Sequence, residues 1–205
     1  MAINYIIQAH IIDIRSDVPK TEDQFMVDTN VWYWMTYPKA TSSIASQLND
    51  YPNYLNQALG ISAGIFHSGL TLAELSHIIE KTEREIYEKQ ARTKITPKEF
   101  RHNLAAKRGV VVSEVQAAWS QVESLAQPLD ISIESQTTSA AIKRLKTESV
   151  DGYDLFILES MNNHGIAQVI TDDGDFATIP GIQVFTANQN VINTARKQGK
   201  LLSRV

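Results

Sequence analysis

The sequence predicts an α/β fold, a three-layer α/β/α sandwich around a mainly parallel central sheet, on three observations. Short apolar runs of strand length alternate with longer amphipathic stretches of helix length along most of the chain. The runs QFMVD, AGIFHS, AQVIT and IQVFT are mostly apolar without a strict in-and-out alternation, as strands covered on both faces require. With 205 residues the chain supports one such core and is marginal for two.

Residues 1–23 alternate loosely through Ile3, Tyr5, Ile7, Ile12 and Ile14 and end in the turn-forming SDVPKTED, which predicts an N-terminal arm or extra strand. QFMVD, at 24–28, reads as the first core strand and ends in a carboxylate. Two helical patches follow over 30–62, broken near Pro38 and Pro52, before a second strand at 63–68. A long amphipathic helix is predicted from Thr71 to about Thr93, with Leu72, Leu75, Ile78, Ile79 and Ile86 on its apolar positions. Thr71 and Glu74 have the spacing of a capping box at its start. Pro97 opens another helix and 110–126 forms a further one; together they make a helical insertion with a basic segment at 81–127. LDISI, at 129–133, reads as a third strand, followed by helices at 135–147 and 152–164. Strands at 167–171 and 182–186 and a helix at 188–198 complete the pattern, with right-handed crossovers throughout.

Hydrophobic residues make up 43% and charged residues 20%, which excludes disordered and collagen-like classes. Cysteine is absent, so disulfide frameworks, thiolate nucleophiles and cysteine-bound zinc drop out. No apolar run approaches the ~18 residues that span a bilayer, and the first residues lack a basic stretch leading into an apolar core. The expected location is cytoplasmic, with no membrane partner.

The formal charge is −4, but its distribution is uneven. Between Lys81 and Arg108 lie nine basic residues against four acidic ones, a local charge of +5. From Val150 to Phe176 there are six carboxylates and no Lys or Arg. In a parallel sheet the polar site forms beyond the carboxyl ends of the strands. Asp28 ends one strand and Asp173 follows another, while Glu74 and Asp154 sit in first turns of helices that begin at that edge. Each alone has a structural explanation: Asp28 as a helix N-cap, Asp154 as an acidic helix start, DDGD as a turn. Together they call for a cation, because two carboxylates ~5 Å apart repel by about 3 kcal/mol at an effective dielectric of 20. Oxygen-only donors select a hard ion, magnesium or manganese.

DTNVW at 28–32, TLAEL at 71–75, DLFIL at 154–158 and VITDDGDF at 169–176 together resemble the motifs of the PIN domain, a metal-dependent nuclease family that includes many prokaryotic toxin ribonucleases. The resemblance covers residues 24–187 and implies a PIN-like nuclease domain over 24–205 behind the arm at 1–23. It implies Mg or Mn bound by Asp28, Glu74, Asp154 and Asp173, with Asp175 as an additional ligand and Asp172 as the alternative in that loop. Asn30 and Thr171 are then small polar groups supporting the metal ligands, and Asp151 an outer acid. The implied reaction is hydrolysis of RNA by a metal-activated water, with Lys89, Arg92, Lys94 and Arg101 on flanking phosphates. A co-encoded antitoxin and a homodimer are the protein partners the family implies.

Two other readings compete. An aspartyl-phosphate phosphotransferase using Asp28 would want a second acid two residues on, where Asn30 stands. A non-catalytic RNA-binding or protein-interaction module could retain the same fold. Dinucleotide, P-loop, nucleophile-elbow and zincin motifs are all missing. His67 is expected to be a packed residue, and Trp32, Tyr33, Trp34 and Tyr37 to pack in a core or stack on a base.

Overall fold

The structure, a computed structural model, describes residues 3–150 and 152–204. Asp151 lies outside the described residues. Seven strands form one sheet: β1 (His10–Asp13), β2 (Gln24–Val27), β3 (Gly64–Ser68), β4 (Gln127–Leu129), β5 (Gln168–Ile170), β6 (Gln183–Thr186) and β7 (Leu201–Leu202). Their order is β4-β3-β2-β5-β6-β1-β7, and every neighbouring pair runs parallel. The helices are α1 (Thr29–Thr36), α2 (Gln47–Gly60), α3 (Gly69–Ala91), α4 (Pro97–Asn103), α5 (Ala105–Leu125), α6 (Ser135–Thr147), α7 (Asp154–Asn163) and α8 (Gln189–Lys197), with a 3₁₀ turn at Asp175–Thr178.

Successive strand residues point to opposite faces, and each face has its own core. Ile11, Met26, Val169 and Val184 pack beneath α6, α7 and α8. Ile12, Phe25, Val27, Ile170 and Phe185 pack beneath α1, α2, α3 and α5. Two covered faces make the three layers, and they explain why these strands read as almost unbroken apolar runs. Burying a side chain such as Phe25 or Phe185 contributes roughly 1.5–3 kcal/mol.

The arm's strand is built into the sheet: β1 lies between β6 and β7, with His10 opposite Gln183 and Ile11 opposite Leu201. Residues 14–23 cross from β1 to β2 without a helix. Arg204 holds that crossover, its Nε donating to Asp17 (2.9 Å) and its Nη1 to Asp23 (2.6 Å) while its guanidinium lies 4.5 Å from the Phe185 ring centre.

Several boundaries differ from the sequence reading. The expected strand at 129–133 is instead β4, Gln127–Leu129, and Ile133 is exposed. Here the pairing of Phe66 with Gln127 and Ser68 with Leu129 overrides the apolar alternation that follows. The start of α3 is capped by Ser68, whose side chain accepts from Leu70 N, so Thr71 is a buried helical residue rather than half of a capping box. The helix begins earlier because β3 runs straight into it. The box occurs at α4, between Thr96 and Glu99. Helix α2 continues through Pro52, which lies in its second turn and forgoes a single backbone bond. Among the described residues no helix is long and apolar enough to cross a membrane.

Candidate active site

Strand β2 is the switch point of the sheet: the chain leaves it toward β3 on one side, and β5 enters on the other. The crevice beyond β2 and β5 is where such sheets collect polar groups. Asp28 closes β2 and caps α1, with extended backbone angles (φ −73°, ψ 155°) and Oδ1 accepting from Thr29 N at 2.6 Å. Its other oxygen, Oδ2, accepts from Thr171 Oγ1 (2.5 Å) and Asn30 Nδ2 (2.7 Å). The cap reading of Asp28 therefore holds for Oδ1, while Oδ2 is held by neutral donors from Thr171 and Asn30.

Thr171, at the end of β5, joins two segments. Its hydroxyl donates to Asp28 and accepts from Asp173 N at 2.8 Å. Asp173 Oδ1 in turn accepts from Asp175 N at 2.9 Å, which folds TDDGD into a tight turn. Glu74 enters from the first turns of α3, where its Oε2 accepts from Thr29 Oγ1 at 2.5 Å. Asp28, Glu74 and Asp173 thus converge from three segments. Asp154 is the first residue of α7. Asp175 opens the 3₁₀ turn and lines a cavity with Tyr5.

The adjacent Asp172 points elsewhere. Gln47 Nε2 (2.5 Å) and Tyr51 OH (2.6 Å) both donate to its carboxylate from α2. Tyr51 OH also accepts from Ala187 N at 2.9 Å, so one buried hydroxyl fixes the loops after β5 and β6. Sequence reasoning missed Gln47 and Tyr51, since a lone Gln and Tyr in a helical patch carry no signal of their partner. Thr29 was legible only as the middle of DTN.

Burial foremost, reinforced by the charges of Asp173 and Glu74, pushes Asp28 up to about 7 against the bonds from Thr171 and Thr29. Burial, with the Asp173 charge, also raises Asp172. Among the described residues no group of three or more His, Asp or Glu side chains is already arranged to hold a metal ion. Asp28 and Glu74 instead accept hydrogen bonds from protein hydroxyls. The chemistry of the set nonetheless suits a hard cation: every donor is oxygen, and burial with the neighbouring acid charges makes the central carboxylate resist ionisation.

The basic residues lie apart from this crevice. Lys94 and Arg84 pair with Glu88 (2.7 and 3.0 Å), while Arg101 and Arg108 pair with Glu80 (2.7 and 3.1 Å). Lys89 and Arg92 line a cavity of about 750 Å³ at the far end of α3, roughly 25 Å along the helix axis from Glu74 at 1.5 Å per residue. Trp32, Tyr33 and Tyr37 are core residues, and His67 packs edge-on against Trp119 at 5.0 Å.

Comparison with known proteins gives a family for the chain. A family model described as the PIN domain matches residues 25–182. No curated protein matches the chain. Among solved structures, the chain is similar to one in the crystal structure of VapBC2 from Rickettsia felis bound to a DNA fragment from their promoter. The identity is 15% and the TM-score 0.47, over 79% of this chain and 97% of that one.

Proposed function

Because the chain belongs to the PIN domain family, we propose that it is a divalent-metal-dependent ribonuclease whose reaction centre is the crevice beyond β2 and β5. One observation carries this reading: a buried carboxylate, Asp28, is held at the switch point within the field of Glu74 and Asp173, with no protein cation among its bonded partners in the described residues. The buried structural acids Asp17 and Asp23, by contrast, are matched by Arg204.

Asp28, Glu74, Asp154 and Asp173 would hold magnesium or manganese. When bound, the ion supplies water activation and neutralises charge at the phosphate. The chain's own groups do the positioning. Thr171 and Asn30 orient Asp28 Oδ2, and Thr29 orients Glu74. Tyr51 and Gln47 hold Asp172 back, so that the turn presents Asp173. Lys89 and Arg92 offer charge to distant RNA phosphates, while Lys94 and Arg101 do so from within ion pairs.

Incubation with a mixed-sequence RNA pool tests the reading. Cleavage is expected with Mg²⁺ or Mn²⁺, none in EDTA, and none from Asp28→Asn. Equal cleavage by Asp28→Asn would overturn it. A toxin role adds that expression arrests growth, that Asp28→Asn relieves the arrest, and that a co-encoded antitoxin does the same.

A further inference from the structure

A cavity of about 320 Å³ opens beside the acid turn, between the N-terminal segment and the end of α6. Ile3, Tyr5 and Ile6 form one wall, and Asp175, Thr178 and Thr147 form another. The wall is preformed. Ile7 N donates to Gln198 Oε1 (2.9 Å), Gln198 Nε2 to the Tyr5 carbonyl (3.0 Å) and Gln8 N to the Ala177 carbonyl (3.0 Å).

Tyr5 lies directly against Gly174. A Cβ added there would fall 2.7 Å from Tyr5 Cε1 and nearer still to Cζ and Oη. Gly174 has ordinary helical angles (φ −72°, ψ −16°), so close approach of the ring, not backbone conformation, calls for glycine. Burial and then the charges of Asp175, Asp173 and Asp172 raise the Tyr5 hydroxyl. Ile3 and Ile6 are 72% and 73% exposed, so apolar surface stands uncovered at the cavity mouth.

We propose that this cavity is a nucleobase subsite next to the reaction centre and that Asp175 makes it selective for guanine; the proposal rests on the nuclease reading for its substrate. The volume lies in the range of small-ligand sites, roughly 300–1,000 Å³. An aromatic ring with flanking aliphatic side chains is the surface on which unpaired RNA bases stack. A carboxylate has two acceptor oxygens and no donor. Guanine alone presents two adjacent donors, N1–H and N2–H, on its pairing edge. Adenine and cytosine present a single amino group beside an acceptor, and uracil flanks its N–H with carbonyls that repel a carboxylate.

Binding of guanosine monophosphate is compared with that of the adenosine and inosine monophosphates, by amide chemical shifts of the full chain in EDTA. The shared phosphate cancels in the comparison, and no metal is involved. Guanosine monophosphate is expected to shift residues 3–8 and 174–178 and to bind about tenfold tighter than the adenosine form. The inosine form, lacking the N2 amine, loses most of that advantage. Asp175→Asn brings the guanosine and adenosine forms within about twofold, and Tyr5→Ala weakens both. Equal binding of the nucleotides by the wild-type chain, no binding of either, or selectivity unchanged in Asp175→Asn overturns the proposal. Cleavage sites mapped on mixed RNA separate the two readings. Cuts without guanine enrichment defeat the subsite and leave the nuclease, whereas guanosine selectivity without any cleavage does the reverse.

Discussion

Two sets of aspartates in this molecule, Asp17 with Asp23 and Asp28 by itself, are about equally hidden from water and electrostatically opposite. Asp17 and Asp23 meet Arg204, which bonds both and stacks on Phe185. Burial works against Asp23, but its bonds to Arg204, Lys20 N and Gln168 outweigh it and hold it below the usual carboxylate range. Asp28 is surrounded by Thr171, Asn30 and Thr29 instead, and by two more acids, and it is pushed up to about 7. The first group has its positive charge written into the chain. Among the described residues the second has neutral donors only, where a structural ion pair has a built-in cation.

The largest expected effect comes from neutralising the uncompensated acid. Asp28→Asn is expected to lower RNA cleavage by about a thousandfold or more, in single-turnover assays with Mn²⁺. Stability should move the opposite way. Asp28 has a folded value near 7 against 3.8 unfolded. Its protonated form therefore favours the fold at low pH, and that contribution is lost as pH rises from about 4 through 7. Denaturant titrations of the metal-free protein should show wild type weakening over this window by at most about 4 kcal/mol, and Asp28→Asn flat across it. A pH-independent wild type would erase the contrast with Asp23.

Removing the built-in cation should act on folding. Arg204→Ala leaves Asp17 and Asp23 buried without their partner and should cost about 3–5 kcal/mol in chemical denaturation. Because Asp23 is depressed in the folded state, its contribution is present above the ordinary aspartate range and fades as pH falls through its folded value. The cost of Arg204→Ala should therefore shrink in acid.

Tyr51→Phe falls between the two groups, since it removes a buried donor to Asp172. A loss of about 1–3 kcal/mol is expected, with kcat reduced more than KM as the Asp173 turn loosens. A fall in KM affinity alone would place Asp172 among substrate contacts. The smallest effect is expected from Lys89→Glu with Arg92→Glu. RNA affinity should drop several-fold at low salt and converge with wild type as salt rises.

The layers of the fold were legible because each interior strand is covered on both faces and so reads as an apolar run. β2, β3, β5 and β6 appeared where the runs do, within a residue or two. β4 and β7 were not, since three and two residues held mainly by pairing leave no pattern to read. Asp28, Glu74 and Asp173 were legible as acids ending strands or starting helices, and the structure brings them together. The helpers Tyr51, Gln47 and Tyr5 were not, because they act through contacts spanning more than a hundred residues. The basic stretch was legible as charge. Its pairing of Glu88 with Lys94 depends on the turn that ends α3, and that of Glu80 with Arg101 on how α4 folds back against α3.

The placement of β1 has a consequence for how the molecule comes into being. His10 pairs opposite Gln183 and Ile11 opposite Leu201, so this strand leaves the ribosome well over a hundred residues ahead of both its neighbours. A nascent chain can assemble β2 and β3 with their helices long before it can seat residues 3–9 against the acid turn. Tyr5 therefore reaches Gly174 long after β2 and β3 can form, and an intermediate chain carries Asp28 and Glu74 without the wall beside them.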